Sequence, residues 1–205
     1  MRPMSRSLHT DPYPLRAARR AAAPRRRRAD EPRVRRPARA GPDGPPRRVE
    51  VRACRTGAGF LHPAGVDDVS RLLTALGPAV TYGLRRVELR RQVRPLLVAH
   101  LWVPGLVVLY EQPEPPWTLP GAPHPDTLHR LRRAGAKVHS DAWRSRVDWP
   151  PGTLRDFMLF DGLAHEIGHH LVQQRTGRTA PAMRTADHER RADAFAAACR
   201  ASVTW

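Results

Sequence analysis

The apolar positions change period several times along the chain, and each period predicts an element. Val69, Leu72, Leu73 and Leu76 recur at helical spacing over residues 66–76, with Asp67 or Asp68 in the first turn and Gly77-Pro78 as the stop. Residues 84–91 alternate instead. Val87 and Leu89 stand among arginines and Glu88, the pattern of a half-buried strand. The runs 96–103 and 106–110 are apolar and partly β-branched, and Pro104-Gly105 between them predicts a hairpin or two successive strands.

Residues 111–125 carry six prolines and Trp117 and predict a long loop without regular structure, either a binding lip or a surface connection. Residues 126–134 read as a short helix with an Asp126 cap, Leu128 and Leu131 inward and Gly135 at its end. A short strand is expected over 137–139, and a loop over 144–152 ending in Trp149-Pro150-Pro151-Gly152.

The strongest pattern follows. From Thr153, with Asp156 three residues on as in a capping box, to a stop at Gly177, the chain is apolar almost all round a helix. At 100° per residue Leu154, Met158, Asp161, His165, His169 and Val172 share one stripe, while Phe160, Leu163, Ile167 and Leu171 lie on other sides. Such a helix must be buried. After a loop over 176–186, a last helix opens at Thr185 or Asp187 and runs to about Ala201. No internal repeat is visible, and the tryptophans and the Leu/Val runs read as core.

Charge changes the picture at the N-terminus. Residues 1–48 hold 15 arginines against 4 acidic residues, a net of +11, while residues 49–205 carry a net of +6. The first segment is Arg, Pro and Ala with a like-charge block at Arg25-Arg26-Arg27-Arg28, and it buries too little apolar surface to offset its conformational entropy. The expectation is a disordered tail over 1–48 and one α+β domain over 49–205, a small sheet packed on a buried helix. The tail's charge suits non-specific contact with nucleic acid through phosphates. With 35 arginines and a single lysine, however, the basicity has the look of a GC-rich genome's codon bias.

No run of about 18 apolar residues predicts a membrane span, and the start has no apolar secretory core. Pro3, Pro12, Pro14 and Pro24 interrupt any transit-type amphipathic helix, so the expected location is cytoplasmic. Cys54 and Cys199 are too far apart to form a metal motif and read as two reduced thiols.

The buried helix carries the chemistry. His165-Glu166-Ile167-Gly168-His169 places two imidazoles four residues apart on one face, where both can close on one zinc ion. Glu166 lies about 100° round from His165, beside the metal and free to act as base on a water there. Hydrolytic zinc sites take three protein ligands, and His170, Asp187, His188, Glu189 and Asp193 are the candidates for the third. Glu189, Ala192, Asp193 and Ala196 share a face of the last helix, whose small alanines permit close approach to the metal helix. Glu189 is therefore placed to reach the ion. Asp193, one turn on, is placed to accept the Nδ1 hydrogen of a ligating histidine. His170 and His188 turn away from these stripes and read as bystanders.

His165-Glu166-Ile167-Gly168-His169 followed by Glu189-Arg190-Arg191-Ala192-Asp193-Ala194-Phe195-Ala196 resembles the gluzincin-type zincin metallopeptidases, in particular the ImmA/IrrE-like group with its H-E-x-x-H and E-x-x-A-x-x-F-A pattern. The resemblance covers residues 150–200. It implies a zincin-like fold, Zn2+ held by His165, His169 and Glu189, Glu166 as general base, Asp193 orienting a ligand, and a protein or peptide substrate. No helix-turn-helix or C-terminal sensory domain of the kind some members carry is visible. Two other readings use the same residues: a nucleic-acid-associated regulatory protein whose metal domain is structural or acts on a DNA-bound protein, and a metal hydrolase acting on something other than peptides. For the peptidase, the expected substrate path is a sheet edge near 106–110, with Tyr110, His100, His124 or His139 as possible oxyanion donors.

Overall fold

The computed structural model describes residues 48–102, 105–175 and 185–203. They form a mixed α/β structure of helices and small sheets, compatible with the α+β class. The tail over 1–48, apart from Arg48, and most of the 176–186 loop with Gly177 lie outside the described residues.

Strand β1 (Glu50–Ala53) is followed by the two-residue β2 (Phe60–Leu61) and helix α1 (Val66–Thr81), which leads to β3 (Arg86–Arg90) parallel to β1. α1 starts as its sequence predicts: the Gly65 N–H donates to Asp68 Oδ2 at 3.0 Å, and Val69, Leu72 and Leu73 are buried. At Gly77 (φ +75°) the helical path breaks, since only glycine takes that conformation cheaply, and one further turn follows from Pro78. The hairpin β4 (Ala99–Trp102) and β5 (Leu106–Tyr110) completes a four-stranded sheet in the order β1-β3-β5-β4. β5 is parallel to β3, and β4 lies antiparallel on the outside.

Register sorts this sheet into two faces. Val51, Val87, Val107 and Leu101 align across it on one face, followed by Ala53, Leu89, Leu109 and Ala99. This face meets α1 and the central helix in a single core. The opposite face carries Arg52, Glu88, Val108 and His100, and next to them Glu50, Arg86, Leu106 and Trp102. A ladder of ion pairs, Arg52–Glu50–Arg86–Glu88–Arg90, runs over it. Beyond the carboxyl ends of the parallel strands the buried Glu111 carboxylate accepts the N–H groups of Gly57 (2.8 Å) and Gln92 (3.2 Å), tying two loops to the end of β5.

The proline-rich segment departs from expectation. It holds β6 (Gln112–Pro113), paired with β2, and β7 (Trp117–Pro120), paired antiparallel with β9 (Arg144–Asp148). Prolines sit here at strand ends, where a missing donor costs no ladder bond. Residues 144–148, expected as loop, form β9 because Ser145 and Val147 alternate inward between Arg144, Arg146 and Asp148. With β8 (Lys137–Ser140) they make a three-stranded sheet, β7-β9-β8. Between β7 and β8 lies α2 (Pro125–Arg133), capped by His124, with Asp126 inside its first turn instead of at the cap. Gly135 follows at φ +92°, as a helix end requires. Trp117 meets Trp149 edge-on and Trp149 tilts against Phe157 at the core, whereas Trp102 is half-exposed and Trp143 is 86 % exposed, so the core reading fails for those two.

The central helix is continuous but not uniform. α3 (Thr153–Asp156) passes into a π-helical stretch (Phe157–Ala164) and then α4 (His165–Arg175). Gly152 is the N-cap, and the Thr153 hydroxyl donates to the Pro150 carbonyl (2.6 Å), so the expected capping box does not form. A π-turn closes over five residues, as in the His165 N–H bond to the Phe160 carbonyl, and advances less than 100° per residue. The predicted stripe therefore holds from His165 to His169 but does not continue back to Leu154 and Met158. Burial is as expected: Leu154, Phe157–Phe160, Leu163, Ala164 and Ile167 are all in the core. Gly162 lets the helix approach the sheet, since a Cβ there would lie 2.9 Å from Val98 Cγ1.

Candidate metal centre

α5 (Ala186–Ser202) packs along α4. Thr185 caps it by accepting the His188 N–H at 3.3 Å. Close approach depends on small residues. Ala192 and Ala196 are buried, and a Cβ built on Gly168 would stand 2.8 Å from Ala192 Cα. Gly168→Val must push the two helices apart, because the obstacle is backbone. We expect it to destabilise the metal-free protein by about 1–3 kcal/mol, read by thermal unfolding, and to weaken metal binding at least tenfold, read by chelator competition, through displacement of Glu189 one turn away.

Three donor atoms converge where the helices meet. His165 Nε2 and His169 Nε2 are 3.1 Å apart, and each lies 3.4 Å from Glu189 Oε2. His165, His169 and Glu189 form a group that can hold a metal ion. His169 is buried and His165 nearly so, while Glu189 is half-exposed, so the group opens to solvent on the α5 side. On the far side of the His165 ring, Nδ1 lies 3.0 Å from Asp193 Oδ1. In the neutral ring, an Nδ1–H held by that carboxylate turns the Nε2 lone pair towards Glu189 and His169, whereas in the protonated ring Nε2–H donates to Glu189.

The electrostatics follow from this crowding. Burial alone pulls the His165 pKa down, but the hydrogen bond to Glu189 and the charges of Glu166, Asp193 and Glu189 outweigh it, and the net shift is upward. Hydrogen bonds from His165 and His169 hold the Glu189 carboxyl far below the usual carboxylate range. Two imidazole nitrogens facing a carboxylate held ionised present the donor and charge pattern that a divalent cation satisfies.

The remaining candidates are engaged elsewhere. His170 is buried with Nε2 2.9 Å from the Tyr82 carbonyl, and burial lowers its pKa, so it serves as a neutral donor tying α4 to the end of α1. Asp187 pairs with Arg190 (3.1 Å) and Arg191 (2.8 Å). His188 lies off the cluster. Of the expected oxyanion donors, Tyr110 and His100 lie on the face of the sheet opposite the core, His124 caps α2 and His139 lies on β8.

Glu166 is buried, and its Oε2 accepts the Leu101 N–H at 2.9 Å. Leu101 lies on β4, the outer strand, so the expectation of an edge at 106–110 is corrected: β5 is enclosed between β3 and β4. Sequence could not reveal this, because edge position depends on pairing between distant segments. Nor did it reveal the partners of Asp161, whose buried carboxylate is held by Arg133 from α2 (2.9 Å) and by Arg200 from α5. An acid inside an otherwise apolar helix was the available signal, since a buried charge demands a counter-charge.

No protein-family model, curated protein or solved structure matches the chain. Among the described residues no helix is long and apolar enough to cross a membrane.

Proposed function

We propose that this protein is a zinc-dependent metallopeptidase with a zincin-like arrangement, in which His165, His169 and Glu189 hold the ion and Glu166 is the general base. The observation that carries the reading is the triangle of donor atoms, with sides of 3.1, 3.4 and 3.4 Å. Tetrahedral zinc with bonds of 2.0–2.1 Å separates its ligand atoms by about 3.3 Å. Octahedral magnesium at the same bond length separates neighbouring ligands by about 2.9 Å and prefers oxygen. Two imidazole nitrogens and one carboxylate oxygen suit zinc on both counts.

A zinc ion there would polarise a carbonyl and bring the pKa of a water towards neutrality. The chain supplies the rest. Glu166 takes the proton of the attacking water as its oxygen bonds to the scissile carbon, and delivers that proton to the amine nitrogen as the C–N bond breaks. Its Oε2 is fixed by Leu101 N–H, so the carboxylate is held between helix and strand. Asp193 keeps His165 in the ligating tautomer. Burial of Ile167, Leu163 and His169 keeps bulk water from the inner side of the group, which strengthens these interactions.

The structure also supports a substrate path. Tyr110 N–H bonds to the Val98 carbonyl, and Val98, His100 and Trp102 share that parity towards β5. Ala99 and Leu101 therefore turn their main-chain groups outward, as the Leu101–Glu166 bond does. An extended peptide pairing with the outward main-chain groups of Ala99 and with the Leu101 carbonyl, the Leu101 N–H being held by Glu166, lies beside that carboxylate. To test the function, purified protein is assayed on a mixed peptide library before and after chelation. Cleavage should vanish with the metal and return on adding zinc; hydrolysis that persists in the metal-free protein refutes the proposal.

A further inference from the structure

Resting on the peptidase reading, we infer that His100 and Trp102 form a specificity subsite that takes a large apolar or aromatic side chain of the peptide. In β4 only Leu101 is fully buried; His100 and Trp102 flank it on the opposite face of the sheet. Their rings pack edge to face, with centroids 5.6 Å apart, and Trp102 remains 49 % exposed. The next strand inward supplies Val108 and Leu106 as their direct neighbours, so the ring pair borders the sheet's outer edge on an apolar floor.

A strand added to β4 shares its pleat, and its side chains alternate between the two faces. Those on the face of Leu101 turn towards the core side, where the metal group lies. Those on the other face stand directly across from His100 and Trp102, within the distance at which cross-strand pairs interact. An aromatic or branched apolar side chain there covers the exposed indole; a small or acidic one leaves it wet. Aromatic cross-strand contacts of this kind change affinity by about threefold to tenfold.

The experiment uses the full chain loaded with zinc and a mixed peptide library, with cleavage sites mapped by mass spectrometry for wild type, Trp102→Ala and Trp102→Phe. Wild type should favour aromatic or large apolar residues at one fixed position from the scissile bond. Trp102→Ala should flatten that preference and lower kcat/KM for the favoured peptides by about threefold to tenfold, mainly through KM, while Trp102→Phe retains it. Binding of fluorescent peptides to zinc-loaded Glu166→Gln gives a second readout that needs no turnover. Cleavage with an unaltered profile in Trp102→Ala overturns the subsite and leaves the peptidase standing. Absence of cleavage with aromatic-selective binding that Trp102→Ala abolishes overturns the peptidase and leaves the subsite. Neither cleavage nor selective binding overturns both.

Discussion

Glu166→Gln is expected to retain about one zinc ion per chain and to lose peptide hydrolysis by about 10²–10⁴-fold in kcat. The substitution removes the proton acceptor and its negative charge while keeping the size and shape of the side chain. Glutamine has the same length, and its amide oxygen can still accept the Leu101 N–H that now meets Glu166 Oε2 at 2.9 Å. Alanine would be a poorer test, since it leaves a buried N–H without that partner and costs about 1–3 kcal/mol besides the chemistry. Because Glu166 is absent from the donor triangle, metal content should not change. KM should move little, for the glutamate acts on the water and the leaving nitrogen and not on substrate binding. Turnover at the wild-type rate in a zinc-loaded Glu166→Gln protein would remove Glu166 from the mechanism.

What could be read from the sequence is what helix geometry alone determines. His165 and His169 face each other because they are four apart on a regular turn, and α4 is regular just there. Ala192 and Ala196 announced a close helix contact, and the contact is backbone-close at Gly168. Glu189 and Asp193 followed from the same periodicity, one reaching the Nε2 side of His165 and the other its Nδ1 side. The break in α1 at Gly77, beyond which the helix resumes to Thr81, and the α2 end at Gly135 were legible because a positive φ selects glycine.

The rest depended on partners far away in sequence. Gln112–Pro113 and Trp117–Pro120 are strands because Phe60–Leu61 and Arg144–Asp148 pair with them, and six prolines masked the pattern locally. Glu50–Ala53 is short, charged and at the sheet's other edge, so it lacked an apolar run to announce it. The π-helical stretch left no periodic mark, because Phe157–Phe160 is apolar at every position and any turn width buries it. That stretch is why the stripe drawn back from His165 to Leu154 failed while the stripe forward to His169 held. The placement of β4 outside β5 moved the expected substrate edge by one strand and brought His100 and Trp102 into view.

The claim on which the other predictions rest is that two helices jointly hold one metal ion, with α5 supplying an anionic third ligand. Removing Glu189 discriminates this from a pair of buried histidines that merely bond to each other. Its carboxylate is half-exposed and carries no core packing, so Glu189→Ala should fold. What it loses is a charged donor 3.4 Å from both imidazoles. Losing an orienting partner of a ligand typically costs about 10–100-fold in metal affinity, and losing the ligand itself should cost more. The decisive measurement is zinc content by elemental analysis of wild type and Glu189→Ala, purified identically and dialysed against a weak chelator. The account predicts about one zinc per wild-type chain and almost none in the variant. Equal zinc in both proteins, or none in either after zinc is supplied, would contradict it.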